Sequence, residues 1–357
     1  MNKKRLLAML LGVVLIFALV ACGGGDTAST PSPAPPAGET TNETAETPDA
    51  PTEVIRITFG HDDLPGAPLT EGAEYWAELL YEVSGGTMVL DVFDSSALGN
   101  KTELLDRLFA GDAMMVVGEG GIAADFGVND IGITMGPFLF ETWEQVDRLV
   151  ASDLWEELRQ EMADSGMTIV GDNWQFGARS TMSARRVETV EDFQGLNIRV
   201  PGNTVQVEGM AALGAAPVGM PLAEVYTSLQ TGVIEAVENP LSVLIANSFY
   251  EVTDYLILTR HVYQIHFIVI GTEFFNNLTE QQQTWLLETG TEAGIFQNQR
   301  MMEAEAEAIG VLEGLGMEII EIDYPSFAEA ANSFYFDSST ANSWTPGLYE
   351  RVREIIG

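Results

Sequence analysis

The chain has 357 residues and carries 53 Asp+Glu against 16 Lys+Arg, a formal net charge of −37 at pH 7. A surface of that sign repels nucleic acid and anionic lipid, which excludes nucleic acid as a partner. A single cysteine leaves neither a disulfide framework nor a cysteine-rich metal site.

In chain order, Lys3, Lys4 and Arg5 precede an uncharged apolar run over residues 6–19. That length suits a signal peptide and falls short of the ~20 residues of a spanning helix. The run ends in Leu19-Val20-Ala21-Cys22, which resembles a bacterial lipobox. Residues 1–21 are therefore expected to be a lipoprotein signal, with Cys22 lipidated and holding the chain to a membrane. Residues 22–53 are Gly, Ser, Thr, Pro and acid, with too little apolar surface to offset chain entropy, and read as a disordered tether. Once the signal is removed, Lys101 is the only lysine and the net charge deepens to −40.

From Val54 onward the pattern is regular. Residues 54–60 alternate as a strand, and residues 71–83 carry Ala73, Trp76, Ala77 and Leu80 at helical spacing up to a Ser84-Gly85-Gly86 stop. A strand (88–93), a helix (101–110) and an apolar strand (113–117) follow. This β-α-β-α-β opening predicts an α/β fold with a mainly parallel sheet. The pattern resumes with strands near 169–171 and 196–200, a helix over 204–213, a helix starting at Pro221 and a strand over 233–237. Asn239-Pro240 reads as the cap and first residue of a helix reaching Tyr250. The proline-free stretch 280–315 predicts either one or two surface helices or a single helix crossing both lobes.

Gly118-Glu119-Gly120-Gly121-Ile122-Ala123 imitates a dinucleotide loop, but it follows the third strand of its unit and lacks the acidic residue that ends a second strand. It reads as a turn lining a cleft, and no cofactor or metal is expected. His61 follows the first strand, where α/β domains bind ligands; a ligand contact and a local loop hydrogen bond fit it equally. His261 and His266 read as structural. Arg199 ends the strand of Asn197-Ile198-Arg199-Val200-Pro201 and offers a planar fork for a carboxylate, although local context favours a surface ion pair.

Taken together, several motifs resemble the DctP-type family of TRAP-transporter substrate-binding proteins. They include Pro137-Phe138-Leu139-Phe140, Gly195 through Pro201, Leu213-Gly214-Ala215-Ala216-Pro217, Leu229-Gln230-Thr231-Gly232 and Glu238-Asn239-Pro240. The resemblance implies a two-lobed periplasmic-binding-protein-like α/β fold with discontinuous lobes and a long bridging helix. Carried onto this chain, lobe I is 54–176 plus 265–304 and lobe II is 177–264 plus 305–357. It implies that Arg199 clamps a ligand carboxylate, that Arg179 contacts the same ligand and that Asn239 orients it. His61, Glu119 and Trp174 would be cleft positions. The chain departs from many relatives by placing Ala178, not an aromatic residue, before Arg179; Trp174 or Phe176 could fill that space. The implied function is extracytoplasmic capture of a small carboxylate for a permease of TRAP integral membrane subunits, not catalysis. The alternatives are an ABC-type solute-binding lipoprotein and a secreted α/β hydrolase, for which the sequence offers neither a G-x-S-x-G motif nor a reactive thiol.

Overall fold

The computed structural model describes residues 54–357; the signal, Cys22 and tether expectations lie outside the described residues. No helix among the described residues is long and apolar enough to cross a membrane. Nine strands form one sheet: β1 (Ile55–Gly60), β2 (Met88–Phe93), β3 (Met114–Gly118), β4 (Met167–Ser183), β5 (Asn197–Val200), β6 (Ala216–Gly219), β7 (Ala236–Pro240), β8 (Tyr255–Gly271) and β9 (Glu318–Glu321). The helices of the first half are α1 (Pro68–Val83), α2 (Lys101–Phe109), α3 (Gly120–Asp125), α4 (Trp143–Val150) and α5 (Asp153–Asp164). Those of the middle are α6 (Val190–Phe193), α7 (Thr204–Ala212), α8 (Val225–Gln230), α9 (Leu241–Ala246) and α10 (Thr272–Asn277). Last come α11 (Glu280–Gly314), α12 (Tyr324–Asp337), α13 (Ser339–Ser343) and α14 (Leu348–Ile356).

Local chemistry explains the early elements. Pro68 opens α1, whose buried stripe includes Ala73, Trp76 and Leu80. A capping box between Asn100 and Glu103 starts α2 at Lys101. The strand order is β2-β1-β3-β8-β4-β7-β5-β6, with β9 added to one end of β8. Parallel pairing holds at the two ends, β2-β1-β3 and β7-β5-β6. At the centre, β3, β8, β4 and β7 pair antiparallel. The expectation of a mainly parallel sheet is thus corrected to a mixed one, because two 17-residue strands run antiparallel through its middle. Their ladder shifts register between Gln175 and Gly177 and again between Arg179 and Thr181.

The stretch expected to hold a long helix is a single 35-residue helix, α11, started by a Thr279–Gln282 capping box. At 1.5 Å per residue it is about 52 Å long. Leu286 and Ala293 join a core with Ile57, Phe59, Trp76 and Val117 from the β1–β3 half. Ala308 and Leu312 join another with Met182, Val237 and Leu256 from the β7–β5 half. One helix therefore supplies side chains to the cores at both ends of the sheet. The tail divides: Phe327 and Ala331 pack with Phe193 and Val200, whereas Phe334, Trp344 and Val352 pack with Leu104, Ile131 and Trp155.

Candidate functional site

Between the two halves of the sheet lies a cleft of about 720 Å³. It collects groups from the C-terminal ends of β1, β3 and β5, from the N-terminus of α2, and from β4 and β7. Of the sequence-predicted site residues, Arg199, Arg179, Asn239 and Glu119 line it.

Arg199 sits one residue from the end of β5 and is only 3% exposed. Its Nε and Nη2 donate to the carbonyl of Met220, at 3.0 and 2.8 Å. Its Nη1 is buried with no hydrogen-bond partner among the described residues. Burial pulls the guanidinium down to about 10, opposed by Glu238, so it remains a cation at neutral pH. The local reading of Arg199 as a surface ion pair is overturned, since it is neither exposed nor salt-bridged.

Arg179, in β4, is committed differently. Its Nε and Nη2 fork onto the carboxylate of Glu238, at 2.5 and 2.8 Å, and Nη1 donates to Gln264 Oε1 at 2.6 Å. Glu238 also meets His261 Nε2 at 3.1 Å. Burial would raise the Glu238 carboxyl, but Arg179 and His261 hold it down at about 2. His261 is therefore structural, as read. Gln264 passes the network on by donating to Glu119 Oε2 at 2.6 Å, and Asn203 donates to the other Glu119 oxygen at 3.3 Å.

Asn239 belongs to β7, opposite Ser180, and does not cap a helix; Pro240 occupies the cap position of α9. Strand pairing displaces the capping reading and leaves the Asn239 side chain on the cleft. The Gly120-Gly121 pair is explained by packing rather than by a cofactor. A Cβ on Gly120 would stand 2.3 Å from Thr134 Oγ1, and one on Gly121 would stand 2.5 Å from Asn203 Oδ1.

Two expected cleft positions move. Trp174 is 0% exposed, lies against Trp76 in the core, and donates its indole N–H to the carbonyl of Gly290 in α11. It anchors the long helix and does not line the cleft; Phe176, two places on and nearer Arg179 in the chain, does. His61 is 1% exposed, edge-on to Phe59, and lies behind the lining. Burial lowers its pKa to about 4, so it is neutral at pH 7. Neither ring nitrogen of His61 has a partner among the described residues, which sets aside the local loop hydrogen bond as well. His266 is buried and stacked on Phe176, with burial lowering its pKa well below the usual histidine range.

Sequence reasoning missed Lys101, Asp62 and Asp63. Lys101 Nζ lies 3.5 Å from Asp62 and 3.9 Å from Glu119 on the cleft wall. Burial opposes its charge, but Asp62, Glu119 and Asp63 raise its pKa above the ordinary value. A usable signal existed, because Lys101 is the only lysine after the signal and Asp62-Asp63 directly follows His61 beyond β1.

Residues 59–336 match the family described as bacterial extracellular solute-binding protein, family 7 (DctP). A TRAP periplasmic solute-binding protein from Ochrobacterium anthropi, solved with bound L-fuconate, superposes with a TM-score of 0.81 at 31% identity, covering 85% of this chain and 100% of that one. Another from Actinobacillus succinogenes, with bound L-galactonate, gives 0.80 at 29% identity, covering 85% and 99%. The sialic acid-binding periplasmic protein SiaP of Vibrio cholerae is 28% identical over 285 residues, 79% of this chain and 88% of SiaP.

Proposed function

The chain belongs to the DctP family of bacterial extracellular solute-binding proteins, and from that premise we propose that Arg199 clamps the carboxylate of a small organic anion held in the cleft. The observation that carries this reading is the Nη1 of Arg199, a buried cationic donor without a partner among the described residues. A buried polar group left unpaired is costly, and a carboxylate is the complement of a guanidinium fork. Asn239 adds a polar contact, and Nη1 of Arg179 keeps one N–H beyond its bond to Gln264.

Closure follows from the backbone. The expected lobes, 54–176 plus 265–304 and 177–264 plus 305–357, would part within β4 at Gly177, and the loss of register in the β4–β8 ladder between Gln175 and Gly177 supports that reading. Gly177 has φ +135°, and a Cβ there would approach the Pro240 side chain to 2.6 Å. Hinge bending at this point would bring β1 and β5 residues together on the ligand. The closed form then docks on the integral membrane subunits of a TRAP-type permease. Members of the family are solute-binding receptors, and no turnover of the ligand is expected.

A thermal-shift screen of the full chain against small carboxylates tests the reading. A ligand at 100 times its Kd adds about 2.7 kcal/mol of stability, a readily measured rise in Tm. Shifts with neutral sugars and none with acids would sink the carboxylate clamp.

The anchor is a separate proposal that rests on Leu19-Val20-Ala21-Cys22 alone. Produced in a lipidating bacterial host, the chain should partition into the detergent phase on cloud-point separation, and Cys22→Ser should move it to the aqueous phase. Recovery of the wild-type chain in the aqueous phase would remove the anchor.

A further inference from the structure

Arg199 is not the only buried, unpartnered charged group on the cleft. Asp63, two residues beyond His61 in the loop after β1, is 7% exposed, and its carboxylate makes no hydrogen bond with any described residue. Only its backbone carbonyl is engaged, by the N–H of Ser95. Asp63 lines both the main cleft and an adjoining chamber of about 280 Å³, which share Phe176 and Val243. The two unpartnered groups have opposite needs. Arg199 requires an anion, and an ionised carboxylate accepts hydrogen bonds but cannot donate them.

We propose that Asp63 is a specificity-determining residue that accepts a hydrogen bond from a ligand hydroxyl, so that the protein takes a singly charged hydroxylated carboxylate in preference to a dicarboxylate. This rests on the reading of the cleft as an organic-acid site, and it adds what the rest of the ligand must carry. The charges on the walls point the same way. Asp62, Asp63, Glu103, Glu119 and Asp125 face Lys101, Arg179 and Arg199. Arg179 is already neutralised by Glu238. Once the first ligand carboxylate occupies Arg199, a second would find only Lys101, which already serves Asp62 and Glu119. It would also meet the repulsion of Asp63, in a site drier than water where like charges repel strongly. A hydroxyl supplies the missing donor without adding charge. An ammonium group would supply it too, but would have to share this wall with the Lys101 ammonium. Burial and Asp62 raise the Asp63 carboxyl to about 7, the response of a carboxylate that lacks a donor, so the group is ionised and accepts only above that pH.

Calorimetric titration at pH 8 with matched pairs of four, five and six carbons tests this: erythronate against meso-tartrate, xylonate against xylarate, galactonate against galactarate. Within each pair only the terminal hydroxymethyl group changes to a carboxylate. In the wild-type chain at least one hydroxy acid should bind, at least tenfold more tightly than its diacid. In Asp63→Asn that ratio should fall severalfold, with Tm unchanged or higher because a buried charge is removed. A diacid that binds as tightly as its partner overturns the proposal, as does a ratio that Asp63→Asn leaves intact or a zwitterionic amino acid preferred over every hydroxy acid. An Arg199-dependent response confined to acids without hydroxyls overturns it while leaving the carboxylate clamp standing. Binding of neutral sugars alone sinks both.

Discussion

Replacing Arg199 by alanine is expected to weaken ligand binding at least about 100-fold while leaving folding stability near or above the wild-type value. The reasoning starts from what Arg199 does in the empty cleft. Two of its nitrogens share the Met220 carbonyl, and the third has no partner among the described residues. A guanidinium buried in that state is a cost to the fold, so deleting it removes a penalty rather than a support. Binding is different, because a ligand carboxylate gains charge-assisted hydrogen bonds of roughly 1.5–3 kcal/mol each. Losing two of them is worth about 3–6 kcal/mol, and each 1.4 kcal/mol is about a factor of ten in Kd. Arg199→Lys should rescue little. A single ammonium cannot hold the Met220 carbonyl and a carboxylate in one plane as the fork does. Calorimetry with the best ligand of the screen, paired with thermal melts, gives both readouts. An affinity within threefold of wild type in Arg199→Ala would place the anion elsewhere. Lost affinity accompanied by a large fall in Tm would mean that Arg199 supports the fold.

The asymmetry between Arg199 and Arg179 also shows what a sequence discloses. Elements governed by neighbours were legible. Periodicity marked β1 to β3, a glycine stop closed α1, and proline-free polarity marked α11. The centre of the sheet was not legible, because β4 carries Asp172, Asn173, Gln175 and two glycines where a buried strand would be apolar. Asp172 is met by Trp155 and Arg159 of α5, but Asn173 and Gln175 are satisfied by α11, more than a hundred positions away. Asn173 donates to the Thr291 carbonyl, the Gln175 N–H to Asn298, and Trp174 to the Gly290 carbonyl. The glycines at 290 and 294 looked like soft breaks but are contact points. A Cβ at 290 would come within 2.5 Å of Trp76, and one at 294 within 2.3 Å of Asn173.

The site divides along the same line. Arg199, Arg179 and Asn239 were located by motif, but a motif does not say who else is present. Glu238 lies next to Asn239 in the same motif, yet its role depends on Arg179, 59 positions away. The family resemblance implies a cleft position for Trp174 and leaves Trp174 or Phe176 to fill the space before Arg179. In a strand, neighbouring side chains point to opposite faces, so the residue two places on, Phe176, needs the ladder's irregularity to face the cleft while Trp174 faces the core.

The second large effect concerns that ion pair. Glu238→Ala is expected to destabilise the fold by about 3–5 kcal/mol, because it strands the Arg179 guanidinium where water does not reach. The loss should depend on pH in a defined direction. Held at about 2 in the fold against an ordinary value of 4.5, the Glu238 carboxyl contributes stability that is complete above pH ~4.5. It fades as pH falls towards 2 and amounts to about 3 kcal/mol in all. The isosteric Glu238→Gln should therefore melt well below wild type at pH 7 and approach it by pH 3. An equal gap at both pH values would mean that the pair is not carried by charge. Arg179→Met combined with Glu238→Leu should recover most of the stability, since an apolar pair of similar volume needs no desolvated partner. Ligand affinity in that double variant then separates two roles that Arg179 holds at once. Recovered stability with recovered affinity makes the arginine a strut between β4 and β7. Recovered stability with affinity still reduced makes its remaining Nη1 hydrogen a direct contact to the ligand.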